Sequence, residues 1–256
     1  MGEPLRLTVL REILRYVRAF RDRIFVIAFD GALLEQPGFT NLLQDLALLH
    51  SINIRPVVVV ELAAELQRRA RLTGQPVRHP HADGPVSGEE LAVVEAAGGA
   101  VANALLSGLC SVDLPAAVAP ALVAHPAGIR KGVDWQWAGR IDRADGGLLL
   151  SLLEQRIVPV VLPLGFDGEG HAYLVNADEA AAEIAVTLRA AKLLFVTTAS
   201  GIEVEGRLLR QLRLDDAEAL LNHGPALPPG LHRKLRCACH ACKHGVERVH
   251  VVNGLV

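Results

Sequence analysis

Two runs of consecutive apolar residues constrain the fold of this chain most strongly. Residues 24–29 read Ile-Phe-Val-Ile-Ala-Phe and lead into Asp30, and residues 57–60 are four valines. A strand that is apolar at every position must be buried on both faces, as in parallel sheets covered by helices. Helical periodicity follows each run, at 39–50 and 61–72. This alternation predicts an α/β fold with a mainly parallel central sheet.

The rest of the chain continues the alternation, with an amphipathic helix predicted before the first strand and a loop predicted where Gly, Pro and His accumulate (residues 74–88). The remaining predicted elements are helices at 5–21, 89–106, 146–155, 178–191, 215–223 and 231–244, strands at 118–125, 132–142, 157–162, 193–197 and 246–252, and hairpin turns at 166–170 and 200–207.

Composition excludes several classes of protein. Hydrophobic residues make up 51% of the 256 residues, which excludes a disordered chain. Lys and Arg number 26 against 28 Asp and Glu, so no basic surface for nucleic acid is expected. The apolar runs at 24–29 and 57–60 are too short to span a membrane, so no membrane partner is expected. Four cysteines are too few for a disulfide framework and fit a cytoplasmic location.

The order of these elements, together with short motifs, resembles the amino-acid kinase family, and within it N-acetylglutamate kinase and the kinase-like domain of N-acetylglutamate synthase. The segments that carry the resemblance are 16–21 with 25–27, 41–51, 132–134 with 139–141, 173–183, 191–195 with 200–202, and 245–250.

The resemblance implies a three-layer α/β/α sandwich formed by one domain, residues 1–256. Residues 1–23 would form an N-terminal helix, residues 24–175 a lobe for an acylamino acid and residues 176–256 a lobe for the nucleotide. It further implies ATP and magnesium as cofactors of an active member, and a homo-oligomer, either a dimer or a hexamer.

Two turns expected to bind substrate depart from the family pattern. The family's first turn reads Lys-x-Gly-Gly, whereas the chain has Ala28, Phe29, Asp30 and Gly31. The lysine is missing, and the acid in place of a glycine would repel phosphate. The second glycine turn is replaced by a segment that begins with Glu61 and Leu62.

The nucleotide half keeps more of the family's polar positions. Asp178 matches the family's organising aspartate, and Lys234 matches its lysine for the transferred phosphoryl group. The alternatives are a helix cap or first-turn acid for Asp178 and a solvated surface lysine for Lys234. Further nucleotide-side candidates are Asn176, Thr197, Ser200 and Gly201.

A possible effector site is implied by the family's arginine-regulated members. The residues that match their arginine region are Tyr16, Lys192, His250 and Gly254. The N-terminal helix would serve oligomer assembly in such members, while packing on its own domain is the alternative.

No metal site is predicted, although two groups of side chains are of metal-ligating types. Cys239 and Cys242 have the spacing of one zinc knuckle, but the predicted helix separates them from Cys237. His79, His81 and Asp83 could also bind a metal, although a solvated loop is the expected state.

Together these features predict a catalytically degenerate amino-acid kinase-like protein with a regulatory or assembly role linked to arginine biosynthesis. It would sense an amino acid such as arginine, or pair with an acetyltransferase or a kinase. The alternative is a divergent acetylglutamate kinase that phosphorylates the carboxylate of an N-acetylated amino acid with ATP.

Overall fold

A six-stranded, fully parallel sheet forms the centre of the computed structural model, which describes residues 15–74 and 76–255. Its strands are β1 Ile24–Phe29, β2 Arg55–Val60, β3 Ala116–Val118, β8 Val158–Val161, β11 Lys192–Thr197 and β14 Arg248–Asn253. They lie in the order β14-β11-β1-β2-β8-β3. The predicted parallel sheet is therefore confirmed.

Shorter strands form a second sheet and two hairpins. Their bounds are β4 Leu122–Pro126, β5 Ile129–Arg130, β6 Val133–Asp134, β7 Gly139–Ala144, β9 Leu164–Phe166, β10 Ala172–Leu174, β12 Glu203–Val204 and β13 Arg207–Leu208. The second sheet has the order β10-β9-β4-β7, and the hairpins pair β5 with β6 and β12 with β13.

Helices connect the strands. Residues 15–20 are helical and form α1, and a short 3₁₀ helix covers Gly31–Glu35. The apolar residues Leu10, Ile13 and Leu14 of the predicted N-terminal helix lie outside the described residues. The other helices are α2 Phe39–Ser51, α3 Ala63–Thr73, α4 Gly88–Ser111, α5 Gly146–Glu154, α6 Ala177–Thr187, α7 Leu214–His223 and α8 Pro229–Lys243.

Alternation along the apolar strands divides the core into two layers. Val58 and Val60 pack with α2, α3 and α4 on one face of the sheet. Val57 and Val59 pack with α5, α6 and α8 on the other. Because successive side chains of a strand point to opposite faces, the valine run supplies both layers. The predicted three-layer α/β/α sandwich is confirmed.

Helix α4 is long and apolar enough to cross a membrane if only length and composition are considered. Its buried residues include Leu91, Val94, Val101 and Leu105, which follow the spacing of one helix face. That face belongs to the core on the α2–α4 side of the sheet, so packing in the core accounts for the apolar stripe.

Two predicted strands are wrong in their continuity. The strand predicted at 118–125 is interrupted between Val118, where β3 ends, and Leu122, where β4 begins. Residues 132–142 contain β6 and the beginning of β7, and Gln136 adopts a left-handed conformation with φ of 49° between these two strands. Trp135 and Trp137 therefore lie in the connecting turn rather than on one strand.

We expect Gly165→Ala to destabilise the fold, because a Cβ at Gly165 would lie 2.4 Å from the Cβ of Ala124 on β4. Overpacking of this kind costs about 1–3 kcal/mol in free energy of unfolding, measurable by urea denaturation. The matched control is Gly99→Ala in α4, where nothing lies within 4 Å of the added Cβ. The control should be neutral or stabilising, and equal losses in both variants would contradict the packing assignment.

Candidate functional site

A cavity of about 400 Å³ opens where the carboxyl ends of β1, β2 and β11 meet α6 and α8. Ligands of open α/β sheets bind outside the carboxyl ends of the strands. The cavity is lined by three carboxylates, two cations and several polar groups. Its charged residues are Asp30, Glu61, Asp178, Arg233 and Lys234, accompanied by His81, Asn176 and Thr197.

Lys234 is the buried centre of the cavity wall. Only 6% of the residue is exposed, so the alternative of a solvated surface lysine is wrong. Its Nζ lies 2.8 Å from Asp178 Oδ1 and 2.9 Å from Asp30 Oδ1. The lysine thus joins α8 to the start of α6 and to the end of β1.

Two opposing effects act on the pKa of Lys234. Burial lowers the pKa, but the nearby carboxylates of Asp178 and Asp30 favour the charged form and raise it above its ordinary value. Lys234 therefore remains an ammonium ion at neutral pH, held by two acids.

Asn176 caps helix α6 and reaches across the cavity. Its Oδ1 accepts a hydrogen bond from the N–H of Glu179 at 3.1 Å, and its Nδ2 donates to the carbonyl of His81 at 2.9 Å. The cap position thus belongs to Asn176, whereas Asp178 lies in the first turn and contacts Lys234. The asparagine fixes both the helix start and the loop that carries His81.

The carboxylate of Glu61 lies where β2 ends. Its Oε2 accepts the N–H of Gly31 at 3.2 Å, and its Oε1 lies 3.1 Å from Nδ1 of His81. Burial raises the pKa of Glu61, but the contacts with His81, Gly31 and more distant Lys234 outweigh burial and lower it overall. Glu61 is therefore ionised at neutral pH.

Gly31 occupies a position that excludes a side chain. A Cβ there would lie 2.4 Å from the backbone oxygen of Glu61. The turns after β1 and β2 therefore touch through their backbones, which brings Asp30 and Glu61 to the same cavity.

Arg233 lines the cavity but is not predicted as a site residue from the sequence. Its side chain is 13% exposed, and its Nε lies 3.7 Å from Asp178 Oδ2, beyond hydrogen-bond distance. Within residues 15–74 and 76–255 the Nε has no hydrogen-bond partner. The sequence suggests His81 only as a metal ligand, and no local signal places it beside Glu61.

Several predicted site residues lie elsewhere. Leu62 is fully buried in the core, and Ser200 and Gly201 do not line the cavity. Ala28 also lies in the core, on β1 beside Phe195, whose ring is 5.5 Å from Lys234 Nζ. A long side chain at position 28 would therefore have its Cβ atom in the neighbourhood of Lys234.

Three of the four predicted effector residues share one region. The Nζ of Lys192 donates to the hydroxyl of Tyr16 at 3.1 Å and lies over the ring of Phe20 at 4.4 Å. His250 lies on the neighbouring strand, and burial followed by the charges of Lys192 and Arg248 lowers its pKa. Gly254 follows the last residue of that strand, at the end away from Lys192, and its N–H donates a hydrogen bond to the carbonyl of Thr197.

The cysteines of α8 separate onto different faces, as predicted. Cys237 belongs to the core beneath the sheet, and Cys239 packs between α7 and α8. Burial raises the pKa of the Cys237 thiol to about 12. Among the described residues, the donors close enough to share a metal are Asp167, Glu169 and His171 of the β9–β10 hairpin.

The profile of the amino acid kinase family matches residues 23–253. The chain belongs to this family. Relatives include the acetylglutamate kinases of Pseudothermotoga lettingae, 30% identical over 97% of this chain and 90% of theirs, and of Desulfitobacterium hafniense, 31% identical over 97% and 89%.

Solved structures of two kinds of protein share the fold of this family member. The N-acetylglutamate synthase of Neisseria gonorrhoeae, in complex with coenzyme A and L-arginine, superposes with a TM-score of 0.90 at 27% identity. That match covers 99% of this chain but 61% of the synthase. Carbamate kinase of Giardia lamblia shares the fold, with a TM-score of 0.67 at 13% identity over 91% of this chain and 93% of its own.

We expect Lys234→Met to destabilise the protein strongly, because Asp178 and the partly buried Asp30 would lose the ammonium group that they share. Removing one partner of a buried ion pair costs about 3–5 kcal/mol in free energy of unfolding, measurable by chemical denaturation at neutral pH. The matched control on the same helix is Arg236→Gln, which removes an exposed pair with Glu179. It should cost less than about 1 kcal/mol, and a similar loss in both variants would contradict the central role of Lys234.

We expect Glu61→Gln to remove a contribution to the free energy of unfolding that is present at neutral pH and is lost at acidic pH. The folded pKa of Glu61 is below its ordinary value of 4.5, so its charge stabilises the fold above that value. This contribution is lost as pH falls through the folded pKa. The difference in free energy of unfolding between wild type and Glu61→Gln should therefore decrease when denaturation is repeated from about pH 5 to pH 3. A difference that grows as the pH falls would contradict the assignment.

Proposed function

We propose that this chain is a catalytically degenerate amino-acid kinase-like protein with a regulatory or assembly role linked to arginine biosynthesis. The observation that carries the proposal is the pairing of Lys234 with two carboxylates, Asp30 and Asp178, at 2.9 and 2.8 Å. The cation that the family resemblance assigns to a phosphoryl group is here neutralised by the protein itself.

Phosphoryl transfer depends on positive charge placed around the transferred group. The turn after β1 has Ala28 where the family pattern has a lysine, and Asp30 where it has a glycine. Loss of one preorganised charge-stabilising group raises a barrier by about 2.7–4 kcal/mol. The carboxylate of Asp30 adds repulsion to that loss, which disfavours catalysis of the usual kind.

The cavity also fits a magnesium nucleotide poorly. Asp30 and Asp178 are carboxylates suited to magnesium, but each has an oxygen within 3 Å of Lys234 Nζ. Magnesium placed between them would have to displace the ammonium group. The lining carries three carboxylates against two cations, a balance that repels a polyphosphate.

The regulatory role is supported by the region around Tyr16, Lys192 and His250. These residues match the family's arginine region, and the Neisseria synthase structure that resembles this chain contains L-arginine.

The proposal includes the organisation of the chain. We assign residues 1–256 to one cytoplasmic domain, whose two lobes are divided between residues 175 and 176. This domain would assemble into a dimer or a hexamer. An acetyltransferase or kinase would be its partner.

The alternative is a divergent acetylglutamate kinase that uses ATP and magnesium. The retained contact between Lys234 and Asp178, beside a cavity of about 400 Å³, favours it. The relatives named acetylglutamate kinase also match most of the chain. In that case Asp30 would have to move away from the lysine before phosphate binds.

An acyl-phosphate assay with ATP, magnesium and N-acetylglutamate separates the two functions. We expect the wild-type protein to form no product above the level of Lys234→Met. The triple variant Ala28→Lys, Asp30→Gly, Glu61→Gly restores the family residues, and a gain of turnover would identify a decayed kinase. Wild-type turnover that Lys234→Met abolishes would overturn the proposal.

A thermal-denaturation measurement tests the sensing role. L-arginine at one hundred times its Kd should stabilise the protein by about 2.7 kcal/mol. Lys192→Met should abolish this shift, whereas Arg236→Gln, on the exposed side of α8, should retain it. Absence of any shift, or a shift unchanged in Lys192→Met, would contradict arginine binding in this region.

A further inference from the structure

The charged groups of the cavity do not all pair with one another. The ammonium of Lys234 is shared by Asp30 Oδ1 and Asp178 Oδ1, which are its partners at 2.9 and 2.8 Å. Two charges remain without a full counter-ion among the residues that the structure describes. They are the carboxylate of Glu61 and the guanidinium of Arg233.

Glu61 supplies a negative charge that has no lysine or arginine partner among the described residues. Among the described residues, its direct partners are the N–H of Gly31 and the ring of His81, with neither a lysine nor an arginine within 4 Å. Its side chain is only 19% exposed, and Glu61 lines the cavity. A buried carboxylate in this setting is stabilised by a cation that also donates hydrogen bonds, as an ammonium group does.

Arg233 supplies a positive charge whose carboxylate neighbour, Asp178, is already the closer partner of Lys234. Its Nε is buried without a hydrogen-bond partner in the part of the chain that the structure describes, and Asp178 Oδ2 lies too far away at 3.7 Å. The side chain is 13% exposed and lines the same cavity as Glu61. A guanidinium matches the geometry of a carboxylate, which it can bind through two parallel hydrogen bonds.

We propose that the cavity binds a small zwitterion with a free ammonium group and a carboxylate, that is, an unacylated amino acid. Its ammonium group contacts Glu61, and its carboxylate contacts Arg233. The inference goes beyond the proposed function, since it assigns a ligand class to this cavity rather than to the region around Tyr16, Lys192 and His250. The cavity, about 400 Å³ in volume, has room for such a molecule.

An N-acylated amino acid satisfies only half of this arrangement. Acylation converts the ammonium group into a neutral amide, which leaves the charge of Glu61 without a counter-ion. A polyphosphate brings negative charge toward Asp30 and Glu61 and offers them no cation. The cavity therefore discriminates by the charge on nitrogen, while Arg233 accepts the carboxylate of either form.

Calorimetric titration of the full chain tests the charge requirement directly. The probes are L-alanine, L-glutamate and L-lysine, each compared with its Nα-acetyl counterpart. We expect at least one free amino acid to bind, and its acetylated form to bind at least about tenfold more weakly. Glu61→Gln should weaken the free amino acid at least about tenfold and remove its advantage over the acetylated form.

Two further variants complete the test. Arg233→Gln should weaken the free and acetylated forms alike, since both carry the carboxylate. The matched control is Glu169→Gln on the β9–β10 hairpin, outside the cavity, which should bind like wild type. Circular dichroism establishes that each variant is folded, and the wild-type comparison of free with acetylated ligands does not depend on any variant.

The titration and the acyl-phosphate assay test the ligand assignment and the proposed function separately. Binding of acetylated and free forms with equal affinity, or binding of none of the free amino acids, overturns the ligand assignment even if no acyl phosphate is formed. Acyl-phosphate formation overturns the proposed function, while preference for the free amine in the titration still supports the charge assignment.

Discussion

The burial of one ammonium group between two carboxylates organises this end of the molecule. Lys234 comes from α8, Asp178 from the first turn of α6 and Asp30 from the end of β1, so three separate elements meet at one nitrogen atom. Desolvating such charges is costly, and only their close mutual contact offsets the cost. The contact joins the turn after β1 to α6 and α8 at the wall of the cavity.

The contact between Lys234 and Asp30 also bears on the proposed function. A glycine after β1 would leave the lysine one carboxylate partner and a path for an incoming anion. Asp30 closes that path with a group of the same charge as a phosphate. Under the proposed function, Asp30 both occupies Lys234 in place of a phosphoryl group and joins the end of β1 to α8.

Much of the fold was predictable from local patterns, whereas the site was predictable only in part. The valine run at 57–60 predicts a two-sided strand because alternation cannot be satisfied in any other way, and the structure confirms it. The burial of Lys234 was harder to predict. The local sequence Arg-Lys-Leu-Arg is typical of a solvated helix face, and Lys234 is buried by strands that are distant along the chain. His81 and Arg233 carry no local signal for their roles. Their placement depends on the loop crossing the sheet edge and on the rotation of α8, which are tertiary properties.

Asn176 joins two distant parts of the chain through a single amide group. Its Oδ1 accepts a hydrogen bond from the first turn of α6, and its Nδ2 donates to the carbonyl of His81, although His81 is 95 residues earlier in the chain. The start of the helix and the loop that carries His81 are therefore positioned by the same side chain. A change at this one residue alters a helix cap and a wall of the cavity together.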